Sequence, residues 1–158
     1  MNAEARLANE AWEALFRAQV VLARRFTDDD IWHELTPNEY DVLYTLKKSP
    51  QGMSMTEINR GILLTQAGVS RLCNRLIQRG LVSRGCDPRD RRASVLTLTE
   101  EGVELQRAVG ARHAAAVTAA MTEALAPDQL VQLRALAQQI VDSAAPGPPR
   151  RPDNQESS

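Results

Sequence analysis

The stretch Thr65-Gln66-Ala67-Gly68-Val69-Ser70-Arg71-Leu72-Cys73-Asn74-Arg75-Leu76-Ile77-Gln78-Arg79-Gly80 decides how the chain is read. Val69, Leu72, Cys73, Leu76 and Ile77 recur at i, i+3, i+4, i+7 and i+8, the spacing of one helical face. The pattern predicts a helix over Gln66–Arg79 that Gly80 stops. Thr65 is a suitable cap, because its hydroxyl can accept from a first-turn N–H that lacks a partner. Leu64 and Val69 stand at the two positions of a hydrophobic staple. Ala67, Ser70, Arg71, Asn74, Arg75 and Gln78 fall on the opposite face. Arg71, Arg75 and Arg79 repeat at i, i+4, i+8. Like charges so spaced cost an isolated helix roughly 0.2–0.5 kcal/mol per pair, and an anionic partner would reverse that cost. The plain alternative is a solvated basic face.

The segment after the helix favours the anionic partner. Leu81–Cys86 and Ala93–Leu98 read as the two strands of a hairpin, with Val95 and Thr97 on one face and Leu96 and Leu98 on the other. The tip between them is Asp87-Pro88-Arg89-Asp90-Arg91-Arg92. A hairpin tip lies in solvent, so stability does not require three arginines there. The planar fork of arginine suits phosphate and fits a narrow minor groove.

Several segments in register resemble the MarR family of bacterial winged-helix regulators. They are Leu64–Leu72, Leu76, Arg79-Gly80-Leu81-Val82, Asp87–Ala93 and Leu96-Thr97-Leu98-Thr99-Glu100-Glu101-Gly102. The likeness runs from about Leu35 to Gly102, and the flanking helices match in pattern only. It implies a homodimer on a palindromic operator, often released by a small ligand. It also implies that Arg92 enters the minor groove and that Asp90, two residues earlier, holds the wing in shape. The residues agree on Asp90: a carboxylate at a DNA-facing tip repels phosphate, so it is better paired with Arg84 or Arg71. The expected DNA-binding set is Thr65, Gln66, Ala67, Ser70, Arg71, Asn74, Arg75, Arg89, Asp90, Arg91 and Arg92.

Outward from this stretch, the chain of 158 residues suits one domain with a sizeable core. Its formal net charge is −1, which taken alone argues against nucleic acid. The distribution argues the other way. Residues 54–93 hold eight arginines against three carboxylates, net +5, and leave −6 for the rest. A basic lobe on an acidic body is expected when one lobe meets DNA. There is no signal-like N-terminus and no apolar run of membrane-spanning length, so no membrane is implied and a cytoplasmic protein is expected. Two cysteines do not make a disulfide framework.

Before the reading helix, Thr36-Pro37-Asn38-Glu39 combines a cap, a proline at the first helical position and a capping-box glutamate. Ser54-Met55-Thr56-Glu57 repeats the box and starts a short helix to about Gly61. That helix and the one after Thr65 form a helix-turn-helix, the second being the reader. At the ends, Leu7, Ala11, Leu15, Ala18, Leu22 and Phe26 mark a long helix from Glu4 to about Phe26, stopped by Asp28-Asp29-Asp30. Thr99 caps another, with Glu100 and Glu101 at its positive end. Pro127 opens a last helix to about Ser143, with Leu130, Leu133, Leu136, Ala137 and Ile140 on one face. The terminal helices carry more apolar surface than a small lobe can cover, which implies a helical dimer interface.

The fold expected is mainly α with a small β-hairpin wing: a winged helix-turn-helix lobe (35–98) plus a helical dimerisation region (1–34 and 99–145). The proline-rich end, 146–158, reads as a disordered tail. The function expected is a sequence-specific regulator of double-stranded DNA; the alternative is a winged helix that docks an acidic protein. No nucleotide loop, nucleophile elbow or paired-carboxylate constellation is present, so no enzyme and no cofactor are expected. His33, His113, Cys73 and Cys86 lack ligand spacing for a metal. The first helix has no cysteine, so peroxide sensing of the kind some family members use does not carry over. For a small-molecule effector, the resemblance points to Trp12, Phe16, Trp32, His33, Tyr40 and Tyr44 as residues able to line its crevice.

Overall fold

The computed structural model describes residues 2–62, 66–86 and 94–144. Its elements run α1 (Ala3–Asp28), α2 (Pro37–Lys47), α3 (Met55–Gly61), α4 (Gln66–Gln78), β1 (Val82–Cys86), β2 (Ser94–Leu98), α5 (Glu100–Ala124) and α6 (Pro127–Ala144). The chain divides into two units, residues 1–118 and residues 119–158. Helices dominate, and the two strands form one antiparallel hairpin with Val82 opposite Leu98 and Cys86 opposite Ser94.

Local chemistry sets most boundaries. Asn2 caps α1 by accepting from the Ala5 N–H at 2.7 Å. Both expected capping boxes form. Thr36 Oγ1 accepts from the Glu39 N–H while Glu39 Oε2 accepts from the Thr36 N–H. Ser54 and Glu57 do the same for α3. Each box satisfies two backbone donors that a helix start leaves unpaired. Gly80, at φ +73, takes the left-handed conformation that ends α4. Thr99 Oγ1 accepts from the Gly102 N–H and donates to the Gly80 carbonyl, tying the start of α5 to the end of α4. Gly102 is required by closeness: a Cβ there would collide with the Leu81 carbonyl oxygen.

The core sits in the winged lobe. Val42, Leu43 and Leu46 of α2, Ile58 of α3, and Val69, Cys73 and Leu76 of α4 pack with Val82 and Leu96 of the hairpin. Val109 of α5 joins them. The hairpin is not a simple two-faced ribbon, since adjacent Val95 and Leu96 are both buried. The reason is a third partner. Met53 and Leu96 exchange both backbone hydrogen bonds, so the turn before α3 covers the free edge of β2.

Candidate nucleic-acid interface and effector crevice

In α4 the apolar face predicted from periodicity is driven inward. Val69, Cys73 and Leu76 are fully buried, which leaves Arg71, Asn74 and Arg75 exposed on the other side. Ser70 is half-buried beside them. Gln66 and Ala67 open the helix. Thr65 and the wing residues Arg89, Asp90, Arg91 and Arg92 lie outside the described residues. Burial pushes the Cys73 thiol up, and the nearby Arg84 opposes this in part, so Cys73 behaves as an uncharged packing residue.

Two cross-links were not legible in the sequence. Arg84 of β1 donates through Nη2 to Asn74 Oδ1 at 3.2 Å, joining the first hairpin strand to α4. Glu39 of α2, almost fully buried, lies 3.6 Å from Arg75 and 3.5 Å from Arg79. The three arginines of α4 are therefore not equivalent.

Beside the lobe, where α2 meets α5, lies a crevice of about 650 Å³. Trp32, Tyr40, Tyr44 and His113 supply its aromatic walls, with Lys47 and Arg107 at charged positions. The rings are in contact: Trp32 and His113 have centroids 5.1 Å apart, and Tyr40 and His113 5.4 Å. Burial lowers the His113 pKa, so the imidazole favours its neutral form. Burial raises the Tyr40 phenol, opposed in part by a hydrogen bond with Gln106. Burial also raises the Asp41 carboxyl, and Lys48 opposes that shift. Two buried polar atoms among the lining residues have no hydrogen-bond partner, Trp32 Nε1 and Gln106 Oε1. Among the described residues neither atom finds a protein partner, so each is open to a hydrogen bond from a molecule in the crevice.

Of the six effector positions suggested by resemblance, Trp32, Tyr40 and Tyr44 line this crevice. Trp12 and Phe16 stack on one another on the exposed side of α1, with centroids 6.4 Å apart. His33 is exposed in the loop before α2 at φ +55. None of these three lines the crevice. Sequence reasoning missed Gln106, Arg107 and His113. The available signal was Gln106 and His113, two polar residues at i and i+7 with the small Gly110 between them on one face of an alanine-rich helix. Among the described residues, no group of three His, Cys, Asp or Glu is placed to hold a metal.

A short capped helix, α3, followed by α4 with an exposed polar face and then an antiparallel hairpin, defines a winged helix-turn-helix regulator. Known proteins agree with this assignment. Residues 33–93 match the family model described as MarR family. The PcaV transcriptional regulator from Streptomyces coelicolor, solved with its natural ligand, is 30% identical at a TM-score of 0.62, covering 78% of this chain and 91% of that one. Sco3205, a MarR family transcriptional regulator from Streptomyces coelicolor solved with DNA, is 27% identical at a TM-score of 0.75, covering 93% and 91%. CouR from Rhodococcus jostii RHA1, bound to p-coumaroyl-CoA, is 26% identical at a TM-score of 0.73, covering 85% and 93%. No curated protein sequence matches the chain. The chain belongs to the MarR family and is a DNA-binding transcriptional regulator. No helix among the described residues is long and apolar enough to cross a membrane.

Proposed function

We propose that this regulator is a homodimeric repressor on a palindromic double-stranded operator, released by a small-molecule effector. The supporting observation for DNA reading is α4, whose apolar face is buried while Arg71 and Asn74 stand in solvent. In this reading the N-terminal part of α4 meets base edges: Arg71 pairs with guanine, Gln66 with adenine, and Ala67 touches a thymine methyl. Arg92 enters the adjacent minor groove, and Arg89 and Arg91 contact phosphates. Residues 1–34 and 99–145 pair across a two-fold axis, which places the reading helices about 34–36 Å apart, one DNA turn. Selection of bound sequences from random duplex DNA tests this. A palindrome with matching half-site spacing is the expected outcome. Equal affinity for selected and scrambled duplex would point instead to docking of an acidic protein.

The effector part rests on the crevice. Its ring walls, its two unpaired buried atoms and the flanking Lys47 and Arg107 suit a flat aromatic molecule with hydrogen-bonding and anionic groups. A natural ligand in PcaV and p-coumaroyl-CoA in CouR accord with this reading. Trp12→Phe leaves Trp32 as the single tryptophan. Aromatic carboxylates that quench its fluorescence should also release the operator. Quenching without release would remove the effector role.

A further inference from the structure

The basic stripe of α4 is divided by one carboxylate. Glu39 is 3% exposed, and each of its oxygens has an assigned neighbour. Oε1 lies 3.6 Å from Arg75 Nη1. Oε2 lies 3.5 Å from Arg79 Nη1 and accepts from the Thr36 N–H at 2.8 Å. Arg79 is held a second time, donating through Nη2 to the Glu34 carbonyl at 3.0 Å. Arg71, one turn before Arg75, has no acceptor among the described residues.

The capping box by itself does not call for a charge here, since glutamine serves that position as well as glutamate. A buried carboxylate is costly unless it is paired, and here the pairing groups come from the DNA-reading helix. Each arginine meets Glu39 through a single Nη atom, Arg79 with a side chain 30% exposed and Arg75 with one 58% exposed, so Arg79 is the more tightly held of the two. We infer that Glu39 is a positioning residue for DNA readout: it fastens Arg75 and Arg79 to the first turn of α2. The clamp fixes the rotation of α4 and leaves Arg71 and the helix start to carry sequence information. Arg75 keeps an exposed side chain while pairing with Glu39, so it can be both a positioned residue and a DNA contact. The inference rests on the DNA-binding reading and adds the source of its discrimination.

Glu39→Gln removes the charge and keeps a capping-box side chain, so the lobe should fold. The readout is the ratio of affinities for the selected operator and a scrambled duplex of the same length. The expected result is a fall in that ratio of about tenfold, about 1.4 kcal/mol. Affinity for scrambled DNA should hold or rise, because a negative charge has gone. The salt dependence on scrambled DNA should steepen as released arginines find phosphates, about 0.9 in log–log slope per added contact. In an Arg75→Ala/Arg79→Ala background, Glu39→Gln should no longer change the ratio, because it acts through those side chains. An unchanged ratio, an equal loss on both duplexes, or full additivity with the arginine substitutions would overturn the inference. A wild-type chain that fails to discriminate would overturn the DNA reading, and the clamp with it.

Discussion

The winged lobe and the terminal helices treat their apolar residues in opposite ways. In the lobe, Leu43, Ile58, Val69 and Leu76 are fully buried within the single chain. In α1, Trp12 and Phe16 remain 65% and 55% exposed, and in α6, Leu136 and Ile140 remain 59% and 54% exposed. No residue of α6 is buried. Isolated exposed apolar side chains are ordinary, but rows of them along a helix mark an interaction surface. The lobe's apolar residues find their cover within the described chain, with Val109 of α5 included. α1 and α6 each leave a row of apolar side chains exposed, the surface that the proposed dimer needs.

The contrast can be broken most sharply by cutting one side chain from each region. Leu43→Ala should cost about 2–5 kcal/mol of folding stability, because a cavity opens in a closed core. Urea unfolding would read this, and a loss well under 1 kcal/mol would mean that the lobe core is slack. Phe16→Ala should leave helix content unchanged, because the ring is 55% exposed and its ring contact is with Trp12 of the same helix. It should instead weaken the dimer by about 2 kcal/mol, the effect of truncating an aromatic anchor. Sedimentation equilibrium decides this, and wild-type protein that stays monomeric at micromolar concentration would remove the dimer.

The functional face should respond on a smaller scale. Arg71→Ala should cost about 1–3 kcal/mol in operator binding and relax preference at one base step per half-site. Retention of full affinity and of the same selected sequence would show that Arg71 is not a reader. Thr36→Ala should cost about 1 kcal/mol of stability by removing one half of the α2 capping box. The effect should appear in thermal unfolding and should be smaller in the Glu39→Ala background, where the other half is already gone.

The smallest expected effect concerns pH. Burial holds the folded-state His113 pKa below its ordinary value. The unfolded chain therefore takes up this proton at higher pH than the folded one. The contribution is fully present above about pH 6.5 and is lost as pH falls from there towards the lower folded value. Asp41, raised by burial, acts in the opposite direction at lower pH, where the folded chain takes up its proton first. His113→Gln should flatten the stability curve just below about pH 6.5. An unchanged slope in denaturant titrations across that range would assign it to other groups.

The sequence by itself determined the local architecture. Thr36-Pro37-Asn38-Glu39 and Ser54-Met55-Thr56-Glu57 announced two helix starts, because capping joins atoms only three residues apart. The apolar period of Val69–Ile77 and the left-handed Gly80 marked the reading helix and its end. The tertiary structure decided which side chains meet. Glu39 reaches Arg75 and Arg79, Arg84 reaches Asn74, and Gln106 and His113 come beside Trp32 and Tyr40. These pairings join separate elements, so no spacing along the chain encodes them. Periodicity identifies the buried face of a helix, but the packing angle between helices selects its neighbours. Glu39 is a helix cap by its local sequence and a partner of Arg75 and Arg79 only through the packing of α4 on α2.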